Sequence, residues 1–267
     1  MKIRNVIKNA TLSLKKKYIS NANLDAEILL SEAIQTSREK IILNSENYLN
    51  SDQIINYKKL INRRKKNEPV SIILGKKFFW KYEFIVNKNV LAPRFETELM
   101  VEEILKIYKQ QNNINVLDIG IGSGCILISL LKEKKSWRGT GLDVSKLALN
   151  IAKTNAKIQQ VHNRIKFINS DVDKFFSNKY DLIVTNPPYI NRVAYNNLDL
   201  SVKRFEPKQA LYGGIDGLRV IEKVIKKSRI ILKNRSFLAL EIGFGQYFKV
   251  KELLNKNGFY LLKVIKD

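Results

Sequence analysis

The chain has 267 residues, 45% of them hydrophobic, which is enough for one large domain or two modest ones around a packed core. Its formal net charge of +23 predicts attraction to an acidic partner, nucleic acid or protein, that weakens with salt, although the cations are spread along the chain rather than held in one tail. One cysteine excludes an internal disulfide, and one histidine, no apolar run of about 18 residues and no signal-like N-terminus argue against a structural zinc site, a helical membrane span and secretion. A cytoplasmic protein without a metal is expected.

The first 68 residues read as a small helical domain. Ile3, Val6, Ile7 and Ala10 form one apolar stripe, and Leu24, Ile28 and Leu29 with Ala26 and Ala33 form another. Ser37 is placed to cap a short third helix, and Ser51-Asp52 opens a fourth that runs into Arg63-Arg64-Lys65-Lys66. Cations at a helix C-terminus suit the dipole, so that run has a structural explanation. No catalytic constellation appears here, and a recognition role is expected. Glu68-Pro69 breaks the helical pattern, and residues 69–92 read as a linking β-hairpin, with strands over 70–74, 78–80 and 84–86 and turn chemistry at Gly75 and 87–89. Thr97 and Glu98 then resemble a capping arrangement for a helix through Leu99, Val101 and Ile104.

Residues 93–267 form the third segment, and from Ile114 onward strands and helices alternate, the pattern of a parallel sheet. Val116-Leu117-Asp118-Ile119 is the first strand, and Gly120, Ile121, Gly122, Ser123 and Gly124 make a glycine-rich turn into a helix over 126–132. Such a turn lets the backbone pass close to a ligand, with a helix N-terminus behind it. The Gly-x-Gly-x-Gly spacing differs from the dinucleotide Gly-x-Gly-x-x-Gly and argues against a nicotinamide cofactor. The second strand, 139–142, ends at Asp143, which is placed to accept hydrogen bonds from two ribose hydroxyls, because Ser145 is available to cap the helix over 146–157. The third strand, 165–168, brings Asp171 and Val172 to the same sheet edge, beside the base of a bound nucleoside. His162 is expected on the surface.

The fourth strand, 181–185, delivers Asn186-Pro187-Pro188-Tyr189. A buried strand that ends in an amide, two prolines and an aromatic presents a rigid polar group at the rim of a sheet. A polar loop over 191–207, a turn at 210–214, a helix over 218–232, a fifth strand over 237–242, a helix over 247–254 stopped by Gly258, and a sixth strand over 259–265 complete the expected sheet.

Together, Leu91-Ala92-Pro93-Arg94-Phe95-Glu96-Thr97-Glu98, Leu117-Asp118-Ile119-Gly120-Ile121-Gly122-Ser123-Gly124, Asn186-Pro187-Pro188-Tyr189-Ile190 and Phe205-Glu206-Pro207 with Ala210-Leu211, Gly214 and Asp216-Gly217-Leu218 resemble the HemK/PrmC family. These are peptide chain release factor glutamine methyltransferases. The Asn-Pro-Pro-Tyr element is shared with adenine-N6 methyltransferases; the Pro-Arg-x-Glu-Thr-Glu element and the Phe-Glu-Pro loop make the resemblance specific. It implies an α/β fold: a Rossmann-like class I S-adenosylmethionine-dependent methyltransferase domain with a small N-terminal helical domain and a linking β-hairpin. It also implies methyl transfer to the side-chain amide nitrogen of the glutamine in the release factors' Gly-Gly-Gln motif.

By the same resemblance, the loop Gly120 to Gly124 lies against the methionine part of S-adenosylmethionine, Asp143 takes the ribose hydroxyls, and Asp171 with Val172 flanks the adenine. Many relatives carry an aromatic at the position of Val172; without base stacking, donor affinity is expected to fall. Asn186, Pro187, Pro188 and Tyr189 bind the substrate amide, with Asn186, Pro187 and Tyr189 as the catalytic set and Asn186 also contacting the donor. The family usually adds an antiparallel strand between the fifth and sixth. Here the chain stops at Lys266-Asp267, so an incomplete sheet edge and a displaced C-terminal segment are expected. The expected partner is a release factor, with a monomeric enzyme and no need for nucleic acid or membrane. The competing readings are an adenine-N6 methyltransferase acting on DNA or RNA, and a non-catalytic cofactor-binding module.

Overall fold

The structure, a computed structural model, describes residues 1–177 and 179–266. The chain divides into two contact-dense units: Met1–Gly75 with Leu200–Phe205, and the remainder from Lys76 onward.

The first unit contains α1 (Ile3–Lys15), α2 (Ala22–Ala33), α3 (Arg38–Leu43), α4 (Ser51–Arg64) and α5 (Val70–Leu74). Their apolar stripes meet in a core that includes Val6, Leu14, Leu29, Leu30, Tyr57 and Ile61. Ser37 caps α3 by accepting the Lys40 amide, whereas Asn50, paired reciprocally with Gln53, caps α4 in place of Ser51-Asp52. Both arginines of the basic run are engaged locally. Arg63 forks onto Glu68 at 2.8 and 2.6 Å and reaches the Ile73 carbonyl, while Arg64 holds Asp25 at 2.7 Å. Residues 70–74 are helical, not the expected strand. The Pro69 carbonyl accepts the Ile73 amide, and Gly75, at φ +74, closes the turn. A five-residue apolar run has no period that separates the two states.

The second unit opens with a hairpin of β1 (Lys76–Phe79) and β2 (Tyr82–Ile85), which turns at Trp80 and Lys81 and is flanked by the expected turns at Gly75 and 87–89. There follow α6 (Glu98–Ile107), β3 (Asn115–Ile119), α7 (Cys125–Glu133), β4 (Arg138–Asp143), α8 (Lys146–Ile158), β5 (Ile165–Asn169) and β6 (Tyr180–Thr185). Next come β7 (Ile190–Asn191), α9 (Arg192–Asn196), α10 (Leu200–Phe205, counted with the first unit) and α11 (Lys208–Leu211). The chain continues through β8 (Tyr212–Gly214), α12 (Arg219–Ile231), β9 (Leu232–Leu240) and α13 (Tyr247–Lys256). The expected loop over 191–207 therefore holds two short helices. Asn191 starts α9 by accepting the Ala194 amide at 2.9 Å, a local cap within a stretch that lacks an apolar stripe.

Five strands form one parallel sheet in the order β5-β4-β3-β6-β9. Alternation sends Val116, Leu182 and Val184 to one face with Leu127, Ile128 and Leu149, and Leu117 and Ile183 to the other with Val224 and Ile231. Asn155, fully buried on α8, ties three pieces together. Its Nδ2 donates to the Ile85 and Ser123 carbonyls at 3.0 and 2.8 Å, and its Oδ1 accepts the Ile85 amide at 2.8 Å.

The fifth strand begins at Leu232, earlier than the pattern suggests, across a bulge opposite β6. Residues 259–266 form no strand, correcting the expected sixth one. An alternating apolar segment needs a neighbouring strand, and among the described residues none lies outside β9. Tyr260 and Leu262 are exposed, and Lys263 is held by Glu103 at 2.7 Å. Among the described residues β9 thus stands at the sheet edge with no further strand beside it; Asp267 lies outside the described residues.

Candidate active site

In a parallel sheet every strand ends at the same edge, so the turns after β3, β4, β5, β6 and β9 gather there. After β3, Gly120, Gly122 and Gly124 all take positive φ (75, 55 and 84), which only glycine adopts freely. A Cβ on Gly120 would meet nothing within 4 Å, so the backbone at this turn is open to close approach. The loop is pinned by Leu142, whose carbonyl accepts the Gly120 and Ile121 amides at 2.8 and 3.0 Å. Ser123 is buried and its carbonyl is held by Asn155.

Asp143 ends β4. Its Oδ2 accepts the Gly122 amide at 3.0 Å and its Oδ1 the Ser145 amide at 2.8 Å, which leaves each oxygen a further lone pair. Burial raises its pKa, and those amides with that of Val144 oppose the rise. Ser145 itself caps α8 through the Ala148 amide, as expected. The Asp171 side chain is partly engaged: Oδ1 accepts the Asp173 amide at 3.0 Å and lies 3.5 Å from Lys223 Nζ. Val172 is buried in the cluster of Leu117, Leu142 and Ile183.

The site also contains residues that the strand pattern does not single out. Asp118 sits inside β3, 1% exposed, and neither carboxylate oxygen has a hydrogen-bond partner. Burial pushes it up to about 7, with the Asp143 carboxylate adding and the Leu127 amide of α7, which falls short of a hydrogen bond, opposing. The signal was a single acid in an otherwise apolar strand. Cys125, first residue of α7, is pushed up to about 12 by burial, with the Asp118 and Glu241 carboxylates adding, so the glycine loop and the end of β9 share one electrostatic neighbourhood.

At the end of β6, Pro187 is buried and Asn186 half-buried. Thr185 pairs with Leu240 of β9, and the Glu241 amide donates to the Thr185 carbonyl at 3.1 Å, so Asn186 and Glu241 leave the sheet side by side. Thr97, expected to cap α6, makes no cap; its hydroxyl donates to Glu241 Oε2 at 2.6 Å and accepts Asn186 Nδ2 at 3.1 Å. Tyr189 OH donates to Glu241 Oε1 at 3.4 Å, and burial with that carboxylate pushes the phenol up to about 12. The Tyr189 carbonyl accepts Gln246 Nε2 at 3.0 Å. At Gly217, φ +81, a Cβ would overlap that same carbonyl. The tetrapeptide is thus braced from three directions.

Arg94 donates from Nη2 to both oxygens of Glu206, at 2.9 and 2.7 Å, joining two motifs 112 residues apart. The carboxylate is 2% exposed and the guanidinium 37%. Burial raises the Glu206 pKa and Arg94 opposes the rise. Arg94→Ala leaves a buried unpaired carboxylate and is expected to cost about 3 kcal/mol of stability at neutral pH. A carboxyl whose folded pKa is raised binds protons more readily folded than unfolded, so the deficit should shrink as pH falls below neutrality. Urea titrations at pH 5 and 7 check both statements.

The sequence matches the PrmC N-terminal domain family over residues 5–75 and the methyltransferase small domain family over residues 95–205. A solved ribosomal protein L11 methylase from Lactobacillus delbrueckii subsp. bulgaricus superposes with a TM-score of 0.50 at 18% identity, over 65% of this chain and 75% of that one, a likeness of fold. The parallel sheet, the glycine loop and the strand-end carboxylate define a class I S-adenosylmethionine-dependent methyltransferase. Release factor glutamine methyltransferases from Caulobacter vibrioides and from Buchnera aphidicola subsp. Baizongia pistaciae are 36% and 38% identical, over 95% and 100% of this chain and 88% and 95% of theirs. The chain belongs to the release factor glutamine methyltransferase family.

Proposed function

We propose that this protein methylates the side-chain amide nitrogen of the glutamine in the Gly-Gly-Gln motif of peptide chain release factors, with S-adenosylmethionine as donor. The carrying observation is the braced Asn186-Pro187-Pro188-Tyr189 tip beside the glycine loop, in a chain of this family. An amide nitrogen is a poor nucleophile because its lone pair is delocalised into the carbonyl. Asn186 Oδ1 and the Pro187 carbonyl each accept one N–H of the substrate amide, fix its orientation and favour electron density on nitrogen. Tyr189, a neutral phenol, packs on the amide plane and excludes water. No strong base is required, since the methylated amide sheds its proton after transfer.

The donor-side residues fit S-adenosylmethionine, which supplies an activated methyl group on a sulfonium centre. Gly120, Ile121, Gly122, Ser123 and Gly124 give a backbone cradle with open space at Gly120. Asp143 keeps lone pairs for ribose hydroxyls, and Asp171 and Val172 flank the adenine. Asp118, buried without a partner, calls for an N–H donor or a cation, and the donor carries an ammonium group.

Residues 1–68 serve recognition of the protein substrate, and the enzyme works as a monomer without nucleic acid. Among the described residues no helix is long and apolar enough to cross a membrane. Incubation with labelled donor and either purified release factor or DNA tests the reading: label on the protein's glutamine-bearing peptide supports it, and label on nucleic acid selects the adenine-N6 alternative. Loss of release-factor methylation on deleting residues 1–66, with donor binding kept, supports the recognition role; retention would refute it.

A further inference from the structure

Resting on that reading, we propose that Thr97 and Glu241 are positioning residues that lock the Asn186 side-chain amide with its oxygen turned toward the substrate. Asn186 can act as a hydrogen-bond acceptor only if Oδ1, not Nδ2, faces the substrate. The two ends of a carboxamide have the same shape, so only their hydrogen-bond partners choose between them.

Proton counting makes that choice. Thr97 Oγ1 has one hydrogen, and the 2.6 Å contact with Glu241 Oε2 uses it, because a carboxylate has none to offer. Oγ1 is left with lone pairs only, so the 3.1 Å contact from Asn186 has to be an N–H donation. Burial raises the Glu241 pKa, and the hydrogen bonds from Thr97, Tyr189 and Asn186 oppose the rise. With the amide reversed, Oδ1 would face the Thr97 lone pairs and the Glu241 carboxylate, and Nδ2 would face the substrate N–H groups. Both sides would then be donor against donor or acceptor against acceptor.

The arrangement spans three sequence-distant elements of the same unit. Thr97 precedes α6 and is 3% exposed, Asn186 follows β6, and Glu241 follows β9. The register between β6 and β9 puts the last two side by side, and the Thr97 hydroxyl bonds to both. None of the partners has slack, since Tyr189 OH takes the other Glu241 oxygen.

Three single variants, one double variant and one spectroscopic readout test this. Thr97→Val removes the hydroxyl at nearly constant shape, Glu241→Gln removes the carboxylate at constant shape, and Thr97→Ser keeps the hydroxyl. The first two are expected to lower kcat by roughly 10- to 100-fold, with donor KM within about threefold of the parent. Thr97→Ser should restore turnover to within about threefold. The double variant Thr97→Val/Glu241→Gln should be no slower than the slower single, because both act through one amide. Independently of any substrate, Asn186 side-chain amide protons, identified by their absence in Asn186→Asp, should exchange with water about tenfold faster in Thr97→Val than in the parent. Multiplying losses in the double variant, or equal exchange of the Asn186 amide in parent and Thr97→Val, would overturn the proposal. If the parent fails to methylate a release factor, the functional reading falls, and the exchange comparison still decides the positioning role.

Discussion

Replacing Asn186 by Ala is expected to lower turnover on a release factor by roughly 100- to 1,000-fold, the scale of losing one preorganised polar contact in a water-excluded site. The loss should fall on kcat more than on donor affinity, because the glycine loop and Asp143 are held by Leu142, Asn155 and Ser145, none of which touches Asn186. The fold should survive: the side chain is half-buried, and its absence removes one donor to the Thr97 hydroxyl and to Glu241, which keeps its bonds from Thr97 and Tyr189. Single-turnover kinetics with donor-binding titrations separate the two effects. A variant within about threefold of the parent would remove Asn186 from the chemistry.

The second large effect concerns Asp118 and has opposite signs for stability and binding. In the free protein its buried carboxyl titrates at about 7, against 3.8 for the ordinary group. The folded state therefore binds the proton more tightly than the unfolded chain between those values, and folding loses stability as pH rises through that window. The replacement Asp118→Asn carries no titrating group. Its stability relative to the parent should improve by on the order of 3 kcal/mol from pH 4 to pH 7, then stay level above it. Donor affinity should fall by about 10- to 100-fold, the scale of a charge-assisted hydrogen bond. A level stability difference across that range, or unchanged donor binding, would place Asp118 outside the site. On the proposed reading, the chain keeps a destabilising carboxylate to receive the donor's ammonium group, a trade of stability for function.

Much of this site was legible because parallel-sheet enzymes concentrate it at strand ends. The glycine turn, Asp143 with Ser145 as the separate cap, and the Asn-Pro-Pro-Tyr tip all follow an apolar strand, and residue type alone marks them. Asp118 was marked only as a lone acid among Val116, Leu117 and Ile119; that neither of its oxygens finds a partner shows only once the strand is packed. Thr97 and Glu241 were hidden for a different reason. Thr97 stands where a cap belongs, and only the β6 to β9 register shows that its hydroxyl has a stronger acceptor 144 residues away.

The fold errors share one physical cause. Residues 70–74, 191–207 and 259–265 are short segments whose state is decided by neighbours rather than by periodicity. In the first, Pro69 and Gly75 close a helix; in the second, Asn191 starts one. In the third, a strand-like pattern lacks a partner among the described residues.

The central claim is that the methyl group goes to one particular amide. Purified release factor, incubated with the enzyme and isotopically labelled donor and then digested, gives peptides whose modified atom can be mapped by mass spectrometry. The account predicts a single methyl group on the side-chain nitrogen of the Gly-Gly-Gln glutamine, absent with Asn186→Ala at matched times. A methyl group on any other residue, or none on the release factor while nucleic acid is labelled, would contradict it.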